Sequence, residues 1–352
     1  MSLRSFVLFT LIICCPVLLA DAGYSDTAET ANDSLSYLKL VKSVWTCNRE
    51  LLYEALHGGV DPDIQDSAGT TVLMSAASSG CLVIVESLLR FRVDPDIQNS
   101  AGATALLFAV KNRYPQVVDA LLMRGANVNL GDTAGNVPLA LAIANADSAS
   151  VSLLIQYGAD LYSITNPPLL SALKRKKSGI VKMLLDAGAD VNARDGSGIS
   201  ALHLACGSND TAVVRMLLNR GADCNVSNNK GETPLLIASK FNRISIAAML
   251  IESGADVNVK DANEDTPLMI AMKNRFTKLE QVLLTKTPDG YSRLMAYSRN
   301  GEIENVRELL MTKFVNINEV NSYGSTALII AASKGHVGVI EELLMYGADI
   351  DA

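Results

Sequence analysis

Three histidines, His57, His203 and His336, are the only imidazoles in this chain of 352 residues, and no two share a spacing that could hold a metal or relay a proton. Carboxylates are plentiful but dispersed. They recur at "GAD" corners (Asp160, Asp190, Asp223 and Asp256), one to a corner. Paired acid–base work needs two carboxyl groups within several ångströms. An Asp that opens a turn and accepts from its own backbone fits these corners better. The "DPDIQD" and "DPDIQN" stretches at Asp61 and Asp94 lack the Gly and distal Glu of an EF-hand loop. No G-x-S-x-G, H-E-x-x-H or P-loop pattern occurs. The expectation is a chain that is not an enzyme and needs neither metal nor cofactor.

The remaining chemistry is charge. Net charge is −7 and the pI about 5.1, yet "SALKRKKSGIVKML" places four cations in succession, Lys174, Arg175, Lys176 and Lys177. An acidic chain is a poor polyanion binder as a whole. Aromatic residues are only 5% of the chain, too few to offer bases a stacking platform, so nucleic acid is not the expected partner.

The N-terminus reads as a separate object. Arg4 precedes the short apolar run "SFVLFTLIICCPVLLA", and Ala20-Asp21-Ala22 supplies a small-x-small cleavage site. The run falls short of a membrane span and contains Pro16, so residues 1–22 are expected to be a removable secretory signal. Residues 23–36 read as a short linker. The mature chain is then exported, periplasmic in a bacterium and secreted or in the secretory pathway in a eukaryote.

Positioning comes from a repeat. "DSAGTTVLMSAASSG" at Asp66, "NSAGATALLFAVKNR" at Asn99, "DTAGNVPLALAIANA" at Asp132, "DGSGISALHLACGSN" at Asp195 and "NNKGETPLLIASKFN" at Asn228 are versions of one phrase. Leu recurs at 73, 106, 139, 169, 202, 235, 268, 294 and 328, and Ala at 76, 109, 142, 172, 205, 238, 271 and 331. Asp or Asn followed by Gly makes a turn needing positive φ. Thr-Pro-Leu starts a helix with a hydroxyl cap and Pro at the first helical position. A second apolar helix follows and ends at Gly, as at Gly221. Turn, helix, helix with a 33-residue period resembles the ankyrin repeat, and "SALHLA" (Ser200 to Ala205) lies nearest its T-P-L-H-x-A signature. The resemblance covers residues 37–352 and implies an all-α, ankyrin-repeat α-solenoid with units starting near 37, 66, 99, 132, 165, 195, 228, 261, 291 and 321.

Within that frame, cations follow the Ala column in most units: Lys111 and Arg113; Lys174, Arg175, Lys176 and Lys177; Lys240 and Arg243, flanking Phe241; Lys273 and Arg275; Arg299; and Lys334. Equivalent residues of successive repeats are neighbours, so these cations predict a row. The resemblance implies that turn tips and first-helix ends line a concave face that grips proteins. The contributors would then be this row and Ser67, Thr70, Ser100, Ala103, Asn136, Lys230, Glu232, Tyr323 and Ser325 at the tips. The row would steer an acidic partner, although cations also suit helix C-termini for reasons of dipole alone.

Irregularities are equally legible. "TNPPLLSAL" shortens the finger at Thr165, and "LLTKTPDGYSRLM" places a hinge or change of curvature near Pro288 to Gly290. The last helix carries Val337, Val339, Ile340, Leu343 and Leu344 and is as apolar as any internal copy. A longer natural chain, a frayed end or a surface for a partner or second copy would each account for it, as would an adaptor part of a larger enzyme. Cys47 and Cys81 fall at neighbouring loop positions of consecutive units. Stacked helices stand about 8–10 Å apart and a disulfide needs Cα atoms within about 7 Å, so a bridge requires the loops to close the gap. Cys206 and Cys224 occupy apolar slots and read as buried free thiols.

Overall fold

The computed structural model describes residues 28–163, 167–284, 293–312, 315–321 and 323–351. The signal segment and the hinge near Pro288 to Gly290 lie outside them, as does Thr165. Among the described residues there are twenty helices in ten pairs, and the only β-bridges are the isolated ones Gln65–Thr71 and Arg194–Ser200. The chain is an all-α solenoid.

Each finger is built by its first residue. The Asp66 side chain accepts from the backbone N–H of Ala68 (2.9 Å) and of Thr70 (2.8 Å). Gly69 takes φ +74° at the tip, a conformation that other residues rarely adopt. Asn99, Asp132, Asp195, Asn228, Asp261 and Asn321 repeat the bonding. The hydroxyls of Thr71, Thr104, Ser200, Thr233, Thr266 and Thr326 then cap the first helices. Where the hydroxyl is missing, at Val137 and Pro167, a Pro stands at the first helical position instead.

Packing follows the two columns. All eight Ala of the Ala column are fully buried, and without larger side chains the helices can approach closely. The first helices end on a left-handed residue (Cys47, Gly80, Arg113, Lys176, Asn242, Arg275), which turns the chain into the second helix. At Gly80 the lack of a side chain is required by the neighbouring repeat: a Cβ there would lie 2.6 Å from the Tyr114 ring.

The corners join the repeats. The side chains of Asp63, Asp96, Asn129, Asn192, Asn225 and Asn318 accept the backbone N–H of Asp94, Asn127, Asp160, Asp223, Asp256 and Asp349, each 31 residues on. The carboxylates of Asp160, Asp223 and Asp256 accept from the backbone N–H two residues on (2.8, 2.8 and 2.9 Å), the turn role that their dispersion suggests.

Contacts divide the chain into two compact units, Met1–Asp190 and Val191–Ala352. The first begins with a long helix, Ala28–Thr46, so regular structure starts inside the stretch that reads as a linker. In the second, the final repeat exposes what its predecessors bury. Ile329 is 42% exposed, whereas its counterparts Leu236, Met269 and Met295 are buried. Ile350 is 73% exposed, against buried Cys224 and Val257.

Candidate functional site

The cations sit where the frame places them, at the ends of first helices and on the left-handed loop residues that follow. Helix Ala105–Lys111 ends in Lys111, and Arg113 takes φ +62°. Helix Pro168–Lys174 ends in Lys174; Arg175 caps it, Lys176 takes φ +55°, and Lys177 precedes the next helix. Successive loops within Met1–Asp190 touch. The Asn112 side-chain amide donates to the Ser78 carbonyl (3.0 Å), that of Asn145 to the Val110 carbonyl (3.1 Å), and the Arg175 guanidinium to the Ala144 carbonyl (3.3 Å). The loops are thus contiguous there, although the one between, Asn145 to Asp147, carries no cation, and Lys111, Arg113 and Lys174 to Lys177 are all exposed.

In Val191–Ala352 the same positions behave differently. Lys240 bonds Glu232 of its own finger (2.9 Å) and Asp261 of the next (3.1 Å), where the Asp261 side chain is only 3% exposed. Burial pushes the Lys240 amine down, but its bonds to Glu232 and Asp261 outweigh that and hold it above its ordinary range. Glu232 is held below the usual carboxylate range, first by the Asn228 amide and then by Lys240. Lys273 pairs with Asp265 in the same way (2.6 Å). These two lysines are structural pins between finger and helix, and their charge is already spent on neighbours. Arg243 lies over the ring of Phe241, 5.9 Å from its centroid, and Phe241 is 57% exposed. Among the described residues, Lys111, Arg113, Lys176, Lys177, Arg275, Arg299 and Lys334 have no carboxylate within ion-pairing distance.

Of the predicted tip residues, Ser67, Ser100, Asn136, Lys230 and Tyr323 are exposed, and Ala103 follows its turn. Asn136 is tied to its own finger, because its amide donates to both carboxylate oxygens of Asp132. Asp132 is accordingly held below its usual range, chiefly by that bond.

The histidines do no chemistry visible in their geometry. His203 is buried: its Nδ1 accepts from the Ser200 backbone N–H (3.1 Å), and its Nε2 bonds the Glu232 carbonyl of the next finger (2.9 Å). Burial, above all, pushes its pKa down. His336 reads from the sequence as a solvated loop residue, but it is half-buried and bonds the Arg299 carbonyl through Nε2 (2.9 Å). His57, at the end of its helix, bonds the Tyr53 carbonyl. No group of three or more His, Cys, Asp or Glu among the described residues could hold a metal ion.

The loops do close the gap between Cys47 and Cys81, which form a disulfide with Cα atoms 5.9 Å apart. Cys206 and Cys224 are buried and free, and burial pushes the Cys206 thiol up to about 12. No described helix is long and apolar enough to cross a membrane.

Stacked helix pairs with projecting turns define a helical repeat protein. The family model for ankyrin repeats (3 copies) matches residues 40–132, 177–261, 202–292 and 268–352, and the chain belongs to the ankyrin repeat family. Repeats of this family are protein–protein interaction modules and are generally non-catalytic. A solved structure supports the fold. The human ASB11 ankyrin repeat domain shares 24% identity at a TM-score of 0.51, covering 62% of this chain and 98% of that one. The ankyrin repeat domain of Bcl-3, a member of the IkappaB protein family, shares 27% identity at a TM-score of 0.48, covering 69% and 96%.

Proposed function

We propose that this chain is an exported, non-catalytic binding module that holds an acidic protein partner on the face made by its turn tips and first-helix ends, concave by family resemblance. The observation that carries the reading is the set of exposed cations without ion-pair partners, Lys111, Arg113, Lys176 and Lys177, along loops that touch one another. An acidic chain that keeps such a row uncompensated attracts an acidic surface over distances near a Debye length. Export is supported by the signal-like composition of residues 1–22 and by the Cys47–Cys81 bridge, since disulfides persist in oxidising compartments.

The test is cross-linking capture from the compartment that fractionation and N-terminal sequencing identify. Reversing Lys176 and Lys177 to Glu is expected to slow association and to weaken the captured complex by about tenfold at low salt. Full-length protein in the cytoplasm sinks the export claim, and capture of the same partners by the reversed variant sinks the row.

A second reading is self-assembly through the last repeat, favoured by the exposure of Ile329 and Ile350 on positions that earlier repeats bury. Sedimentation velocity at micromolar concentration is expected to show a dimer under this reading, and a strict monomer excludes it.

A further inference from the structure

We propose that a cleft in the unit Val191–Ala352 is a binding site for an extended acidic peptide, with Arg299 and Lys334 receiving its carboxylates and Tyr323 lying along its backbone. The inference rests on the protein-binding reading above and gives that reading a place and a ligand class. The cleft is open to solvent along one side and has a volume of about 490 Å³, room for an extended peptide segment. Its apolar wall comes from Leu268, Met269 and Ile330, and Arg299 and Lys334 also line it. Tyr323 stands at the finger tip with 83% of its surface exposed, a large ring held out from the fold.

Charge decides what fits. The third cation of the cleft, Lys260, is occupied by Glu264 at 2.8 Å. Arg299 and Lys334 have no such partner among the described residues, unlike Lys240 and Lys273 in the preceding repeats. Their field nonetheless reaches this spot. The Glu264 carboxyl is held below its usual range first by its bond from Lys260, and Arg299 and Lys334 contribute as further positive charges. An incoming carboxylate would meet two cations without having to break an existing pair, so it escapes the usual cost of exchanging partners. The wall beside them suits an apolar side chain next to the acid. A nucleic acid fits worse, because its affinity comes from many phosphate contacts, and only two uncompensated cations line this cleft, in a chain of net charge −7.

The test uses the mature chain and a fluorescein-labelled peptide of alternating Glu and Val, with its Gln-Val counterpart, read by fluorescence anisotropy. The Glu peptide is expected to bind and the Gln peptide to bind at least about tenfold more weakly. The double variant Arg299→Glu, Lys334→Glu should lose about tenfold in affinity for the Glu peptide. Tyr323→Ala should weaken it too, with an unchanged circular dichroism melt, because that side chain is almost wholly exposed. Lys176→Glu with Lys177→Glu, an equal change of charge, should leave this affinity within about twofold. If affinity is lost at Lys176 and Lys177 and kept at Arg299 and Lys334, the acidic-partner reading stands and this site falls. If the Glu peptide does not bind at all, both fall. Tighter binding of a DNA oligonucleotide than of the Glu peptide assigns the cleft to phosphates and overturns the proposal.

Discussion

Replacing Cys47 and Cys81 together by Ser is expected to cost the first repeats about 3–4 kcal/mol. The bridge closes a segment of 34 residues, which on chain-entropy grounds lies between the ≈ 3 kcal/mol of a 15-residue loop and the ≈ 4.7 kcal/mol of a 100-residue loop. The location makes the loss consequential. A solenoid repeat contacts only its neighbours, so the terminal repeat has one interface to hold it where internal repeats have two. The bridge ties the left-handed loop of the first repeat, where Cys47 takes φ +49°, to the residue that opens the second helix of the next. Without it, hydrogen exchange should accelerate over Ala28–Thr46 and Arg49–His57 and remain slow in Pro115–Met123. Dithiothreitol should reproduce the shift in the wild type and leave the double variant unmoved. A reductant that changes neither protein denies the bridge any role in stability.

The same bridge gives a count that bears on export. Cys206 and Cys224 are buried and free, so they react only after unfolding. Mature, oxidised protein should therefore titrate two thiols in denaturant without reductant. A chain that retains its leader adds Cys14 and Cys15.

Much of this was legible in the sequence, because repetition averages away local ambiguity. The Ala column is fully buried in every copy that carries it, and the Thr before Leu caps its helix wherever it occurs. The disulfide was legible as a neighbouring pair but not as a bond, since closure depends on loop geometry that composition does not encode. The row is legible in the sequence as positions, but those positions alone do not say which of its charges are paired. Lys240 and Lys273 belong to it in sequence, yet both are spent on finger acids eight residues upstream. The signal was present: Glu232 and Asp265 occupy the same repeat position, and each precedes its lysine by the same interval. Where that position holds Ala103, Lys111 stays exposed. The half-buried placing of His336 is not legible, because its partner is a carbonyl in the preceding repeat and leaves no side-chain signature.

Removing Arg293 should be nearly as costly as removing the bridge, and for a different reason. Its guanidinium bonds Glu280, whose side chain is only 3% exposed and has no other cation within ion-pairing distance among the described residues. The pair links helix Thr277–Leu284 to helix Arg293–Asn300. Arg293 is 37% exposed and can be rehydrated when it is freed, but Glu280 cannot. Taking away the cation leaves an uncompensated buried carboxylate, and losing one partner of a buried pair costs roughly 3–5 kcal/mol. Because the arginine is partly in water, Arg293→Ala is expected at the low end, about 3 kcal/mol, in urea unfolding of the full chain. Burying a neutral amide is cheaper than burying an unpaired charge. Adding Glu280→Gln should therefore restore more than half of the loss. A double variant as unstable as Arg293→Ala would mean that the arginine acts through the packing of its stem and that the buried charge matters little.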